Sequence, residues 1–212
     1  MPKAMDGRGW LIAVALVGLS GCRAGHEFPF ATFAESAPAV SSSEPNAFDD
    51  YVAAAKDTEI AAEKYASRTF FTPGYRDRAL KLMEPSLRQV EAAGGKTCRF
   101  RFEASGPFDK RPYRAGWRLL GMGLVWELEA ELKEGSLDRA IERYLVATRF
   151  GMDLTAGDYL DASLGYAIMD DARQAIAPTL TSLTPKQSEK ISKGLLAVMS
   201  RAPKVDDVIE NQ

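Results

Sequence analysis

Residues 113–133, Tyr113-Arg-Ala-Gly-Trp-Arg-Leu-Leu-Gly-Met-Gly-Leu-Val-Trp-Glu-Leu-Glu-Ala-Glu-Leu-Lys133, lead through Glu134-Gly-Ser136 into Leu137-Asp-Arg-Ala-Ile-Glu-Arg-Tyr-Leu-Val-Ala-Thr148. Trp117, Leu120, Leu124 and Leu128 recur at steps of three and four, and Leu132 extends the row. That spacing is one face of an α-helix. Lys133-Glu-Gly-Ser136 makes a turn, with Ser136 as the cap of the next helix. Ala140, Ile141, Tyr144, Leu145 and Thr148 form a second stripe. Two apolar stripes joined by so short a connection predict an antiparallel helical hairpin over residues 113–156.

Working outward, the flanks carry the same period. Asn46 is a good N-cap, Asp49 complements the helix start, and Phe48, Tyr51, Val52 and Ala55 predict a helix to about Ser67. Thr72-Pro73 is a second start signal, with Ala79, Leu80, Leu82 and Met83 as the apolar side. Pro85 is expected to kink that helix or to begin a new one carrying Leu87 and Val90, ended by Gly94-Gly95. Cys98-Arg-Phe-Arg-Phe102 alternates, but with no partner strand in sight it reads as part of an ordered loop. Beyond Gly157-Asp158, the series Leu160, Leu164, Ile168, Ala172, Ala175 and Ile176 marks another helix, in which Gly165 suggests close helix–helix approach. Thr184-Pro185-Lys-Gln187 is a capping box opening a helix through Ile191, Leu195 and Val198, and Pro203 ends or restarts it. Residues 205–212 bear no stop signal. The sum is an all-α domain of about six helices over residues 46–212.

Gly135-Ser-Leu-Asp-Arg-Ala140-Ile-Glu-Arg-Tyr144-Leu-Val-Ala147 resembles the second helix of a tetratricopeptide repeat, with small, aromatic and small residues at matching spacing. The Trp117-x-x-Leu120-Gly121 group lies about two turns too early for the first-helix signature, and no second copy appears at a 34-residue period. The resemblance implies antiparallel, tetratricopeptide-like hairpins. Asn46-Ala-Phe-Asp-Asp-Tyr51, Glu84-Pro-Ser-Leu87 and Gly135-Ser-Leu-Asp-Arg-Ala140 also resemble a group of uncharacterised α-helical bacterial proteins, which implies a fold and no mechanism.

The N-terminus has another character. Lys3 and Arg8 precede an uncharged apolar run from Trp10 to Leu19, about half the length needed to cross a bilayer as a helix. Ser20, Gly21 and Cys22 follow, completing a secretory-signal layout over residues 1–21. Leu19-Ser-Gly-Cys22 resembles the lipobox of bacterial lipoproteins. The resemblance implies cleavage before Cys22, a diacylglyceryl group on its thiol, and anchorage of the chain to a membrane of the cell envelope. Arg23, rather than Asp, after the cysteine favours the periplasmic face of the outer membrane over the inner membrane on the same grounds. Residues 22–45, rich in Ala, Ser, Pro and Glu, read as a disordered tether with a reach of roughly 25–30 Å. Phe28, Phe30 and Phe33 in it are expected either at the lipid interface or against the domain.

The chain offers little catalytic chemistry. Basic and acidic residues, 27 against 29, are near balance, so no overall field points to nucleic acid. The lone histidine, His26, lies in the tether, and Cys98 is the one thiol besides Cys22, so a zinc site of the His/Cys kind is not expected and no cofactor is predicted. Cys98 reads as a small buried hydrophobe in preference to an interchain disulfide. Glu127, Glu129 and Glu131 are candidate acids, but Leu124, Leu128 and Leu132 own the buried stripe, so they are expected to face water. No Gly-x-Ser-x-Gly elbow, dinucleotide fingerprint or P-loop occurs. The one local concentration is Arg99, Arg101, Arg111, Arg114 and Arg118, with Lys110, interleaved with Phe100, Phe102, Phe108, Tyr113 and Trp117. These arginines are candidate partner-binding residues; the plainer reading makes the aromatics core and the arginines solvated or helix caps. The expectation is a lipid-anchored extracytoplasmic scaffold binding an envelope protein or peptide. The alternatives are an envelope enzyme with helix-borne carboxylates such as Glu127, or a small-ligand carrier.

Overall fold

The computed structural model describes residues 45–66, 74–100 and 111–202. The predicted leader, Cys22, the tether to residue 44, the Thr72-Pro73 start, Arg101 and Pro203 lie outside the described residues. The domain is all-α: α1 (Ala47–Ala66), α2 (Tyr75–Ala93), α3 (Tyr113–Lys133), α4 (Leu137–Leu154), α5 (Tyr159–Ile176) and α6 (Pro185–Met199), with a 3-10 turn (Ala177–Ser182) before α6.

The hairpin forms as its stripes predict. Trp117, Leu120, Leu124 and Leu128 are fully buried, and so are Ala140 and Ile141 across from them. Ser136 is the N-cap residue of α4, but its side chain makes no capping bond. The turn is closed from the other side. Ser136 N donates to Glu131 O at 2.8 Å and Gly135 N to Leu132 O at 3.1 Å, with Gly135 at φ +74°. This pair of bonds satisfies the last carbonyls of α3 and needs a left-handed residue, which glycine supplies without a Cβ clash.

Pro85 does not begin a new helix; it lies inside the single helix α2. It sits on the exposed side with Lys81, whose carbonyl loses its amide partner, so water can serve that carbonyl. The segment after α2 is pinned to the start of α1. Asn46 Oδ1 accepts from Phe48 N at 3.2 Å and from Arg99 N at 2.9 Å, while its Nδ2 donates to Arg99 O at 2.8 Å. Ala47 N donates to Thr97 O at 3.0 Å. One asparagine thus caps a helix and holds the irregular segment beside it.

α3 and α5 run parallel, side by side: Arg114 meets Asp161 at one end and Gly121 meets Ile168 in the middle. α4 and α6 are likewise parallel, through Asp138–Gln187, Glu142–Lys190 and Leu145–Gly194. α4 and α5 cross at a pair of glycines. A Cβ on Gly151 would lie 2.7 Å from Gly165 O, and one on Gly165 would overlap Gly151 O. Leu160, expected on the buried side of α5, is 57% exposed. It lies one turn before Leu164, which is partly buried against the core.

Gly165→Ala tests this crossing. In an open helix the change would stabilise by about 1 kcal/mol through backbone propensity. Here it is expected to cost about 1–3 kcal/mol, because the added methyl forces the helices apart. Urea unfolding reads the sign.

Candidate functional site

The described arginines of the arginine-rich stretch do not form a single face. Arg118 is exposed and makes no ion pair with any described residue. Arg99 is exposed and held through its backbone by Asn46. Arg111 and Arg114 turn inward to the N-terminus of α5. Arg114 Nε lies 2.6 Å from Asp161 Oδ1 and Arg111 Nη1 lies 2.7 Å from Asp161 Oδ2; Arg114 also pairs with Asp158. The Asp161 side chain is fully buried. Asp158 caps α5, accepting from Leu160 N at 2.9 Å and Asp161 N at 3.0 Å, in a capping box that Asp161 completes. Burial opposes the charge on Asp158, but the Asp161 amide, Arg111 and Arg114 outweigh it and hold its carboxyl below the usual aspartate range. These two arginines therefore clasp α3 to α5. Asp158-x-x-Asp161 was the signal for this, a capping pattern directly after Gly157.

Of the aromatics in the same stretch, Phe102 and Phe108 lie outside the described residues. Phe48, Phe100 and Tyr113 surround the buried Trp117 with centroids 4.3–6.1 Å from it, and Trp117 Nε1 donates to Tyr51 O at 3.1 Å. They are core.

Glu127 and Glu131 do not face water as expected. Their side chains are only 14% and 18% exposed. Glu127 pairs with Arg88 of α2 and, at 3.5 Å, with Arg143 of α4; Arg143 lies 2.8 Å from Glu91, which Arg88 meets at 2.6 Å. Glu131 lies 3.0 Å from Arg139. Burial raises the Glu127 pKa, and Arg143 and Arg88 offset part of that rise. Long glutamates beside the leucine stripe reach arginines of the neighbouring helices, so the flank of α3 is a charged seam joining three helices. Glu129, by contrast, is exposed and pairs with Arg76.

A further polar group is buried between α1 and α4. Tyr51 OH donates to Asp153 Oδ2 at 2.7 Å, Arg149 Nε reaches both Asp153 oxygens at 3.0 Å, and Arg149 Nη2 donates to Lys96 O at 3.0 Å. Burial pushes the Asp153 pKa up, with Arg149 and Tyr51 offsetting part of it. Cys98 is half-buried against the core. Burial first, then the charge of Asp153, pushes its thiol pKa well up, away from reactivity.

One cleft lies apart from all three charged groups. Met122, Val125, Trp126 and Glu129 of α3 and Asp171 and Ala175 of α5 line a space of about 460 Å³. Tyr75 stands edge-on to Trp126 with centroids 6.0 Å apart, and the Arg76 guanidinium lies 5.4 Å from its ring centre. Met122 is 39% exposed. Among the described residues no group of three or more His, Cys, Asp or Glu side chains could hold a metal ion, and no helix is long and apolar enough to cross a membrane. No protein-family model, curated protein or solved structure matches the chain.

The clasp predicts an acid-side dependence of stability. A carboxyl whose folded pKa is lowered contributes stability that is full above its unfolded pKa, about 4, and is lost as pH falls through the folded value. Arg114→Gln removes a cation from Asp158, so its stability should fall less steeply than that of the wild-type chain below about pH 5. Parallel urea-unfolding profiles for the two chains would contradict this.

Proposed function

We propose that this protein is a lipid-anchored helical scaffold that binds a protein or peptide in the bacterial cell envelope. The lipobox-like Leu19-Ser-Gly-Cys22 supports the anchor, with Cys22 as the lipidated residue and the outer membrane as the favoured site. The binding reading is carried by one observation: the cleft along α3 and α5 leaves Met122 and Trp126 accessible on a helix whose other sides are packed. The parallel neighbours α3/α5 and α4/α6 support a tetratricopeptide-like stacking of hairpins, an arrangement suited to holding an extended segment or helix in a groove.

The enzyme alternative has less support. Of the two carboxylates with raised pKa, Glu127 is committed to Arg88 and Arg143 and Asp153 to Arg149 and Tyr51, and neither lines the cleft. An acid catalyst must reach a substrate proton, and these two face other protein side chains.

Cys22→Ala tests the anchor. Three acyl chains, each buried methylene adding about 0.8 kcal/mol, hold a protein far more firmly than one. The variant, still exported, should move from the membrane to the soluble fraction and lose incorporation of labelled palmitate. Retention in the membrane would defeat the lipid-anchor reading.

A further inference from the structure

The cleft has a charge character as well as an apolar wall. Met122, Val125, Trp126 and Ala175 offer the apolar surface, and the two ionisable groups lining it, Glu129 and Asp171, are both acidic. Glu129 is already paired with Arg76. Asp171 is exposed and makes no ion pair with any described residue, whereas its neighbour Asp170 is bound by Arg173 at 2.6 Å and by Gln174. The wall therefore keeps one carboxylate uncompensated beside exposed apolar surface. No basic side chain lines the cleft; Arg76 lies over Trp126 and is committed to Glu129.

We infer that the α3–α5 cleft takes a short segment of a partner protein in which apolar residues are interspersed with lysine or arginine. The apolar side chains pack on Met122, Val125 and Ala175, and a basic side chain pairs with Asp171. This deepens the scaffold reading and rests on it, because it names the partner chemistry of the same surface. Charge complementarity selects this occupant: an acidic segment meets Asp171 and Glu129 with like charge, and an uncharged apolar one leaves Asp171 unpaired at the contact. Trp126 is contacted edge-on by Tyr75 and over its ring by Arg76, so this part of the wall is organised before a ligand arrives.

The test uses the full lipidated chain in nanodiscs of zwitterionic lipid, with two labelled probes followed by fluorescence polarisation. One probe is the amidated hexapeptide acetyl-Lys-Leu-Ala-Lys-Leu-Ala; the other replaces both lysines with glutamate. The lysine probe should bind about fivefold more tightly, within the range expected from one exposed charge pair gained against one repelled. Asp171→Lys should reverse the order, and Asp171→Asn should remove most of the difference, with the helical circular dichroism unchanged because residue 171 is exposed. Equal binding of the two probes, no binding of either at millimolar concentration, or an Asp171→Lys chain with the wild-type order would each overturn the inference. An Asp171→Lys chain that still cross-links the wild-type chain's partner on membranes would overturn this inference alone and leave the scaffold reading standing. Loss of every partner from the wild-type chain would remove both.

Discussion

Close approach to α3 is the constraint on which the rest of the fold depends. Three glycines on that helix face three different neighbours. A Cβ at Gly116 would fall on the Ala55 carbonyl of α1; one at Gly121 would lie 2.5 Å from Ile168 of α5; one at Gly123 would lie 2.7 Å from Met83 of α2. Helices drawn in this near leave room beside them only for fully dehydrated side chains, and Trp117, Leu120, Leu124 and Leu128 fill it completely. Each such leucine stabilises the fold by about 1.5–3 kcal/mol over its exposed state. The contact at Gly121 also shapes the cleft. With α5 seated on position 121, residue 122 is carried about 100° round the helix. Met122 thus sits at the rim, and Val125, Trp126 and Glu129 continue the wall.

The charged residues follow from the same geometry. Helices packed this tightly bury the flanks of their apolar stripes, and glutamates or arginines on those flanks leave water with them. Each of the buried carboxylates Asp153, Asp161, Glu127 and Glu131 accordingly has an arginine beside it. Removing one partner from such a pair leaves an uncompensated buried charge, the costly case. The arginines serve as crosslinks between helices: Arg111 and Arg114 join α3 to α5, Arg88 and Arg143 join α2 and α4 to α3. Asp171, by contrast, is exposed and makes no ion pair with any described residue.

The elements were legible in the sequence wherever a signal is local. The stripes of α3 and α4, the Gly135 turn and the Thr184–Gln187 capping box all depend on neighbours within one or two turns, and all form; Thr184 and Gln187 bond reciprocally as a capping box should. Pro85 left a kink and a new helix start both open, because the effect of a proline depends on which side of the helix meets water. Leu160 misled because a stripe does not reveal how wide the covering helices are. Glu127 and Glu131 could not be placed from periodicity, since a long side chain beside an apolar stripe goes wherever a neighbouring helix supplies an arginine. The same holds for Arg111 and Arg114, whose partners lie 44–50 residues away. The cleft was invisible for a further reason: it is made by two helices that are not consecutive, and only packing brings Trp126 and Asp171 to one space.

The most direct measurement is position-resolved photo-cross-linking on native membranes, with a photoreactive amino acid at position 122 and, as a control, at Ser192 on the exposed side of α6. The account predicts one protein adduct from position 122, saturable by excess unlabelled chain and absent from position 192. Adducts that are equal at the two positions, or none at position 122, would contradict a scaffold that binds through the α3–α5 face.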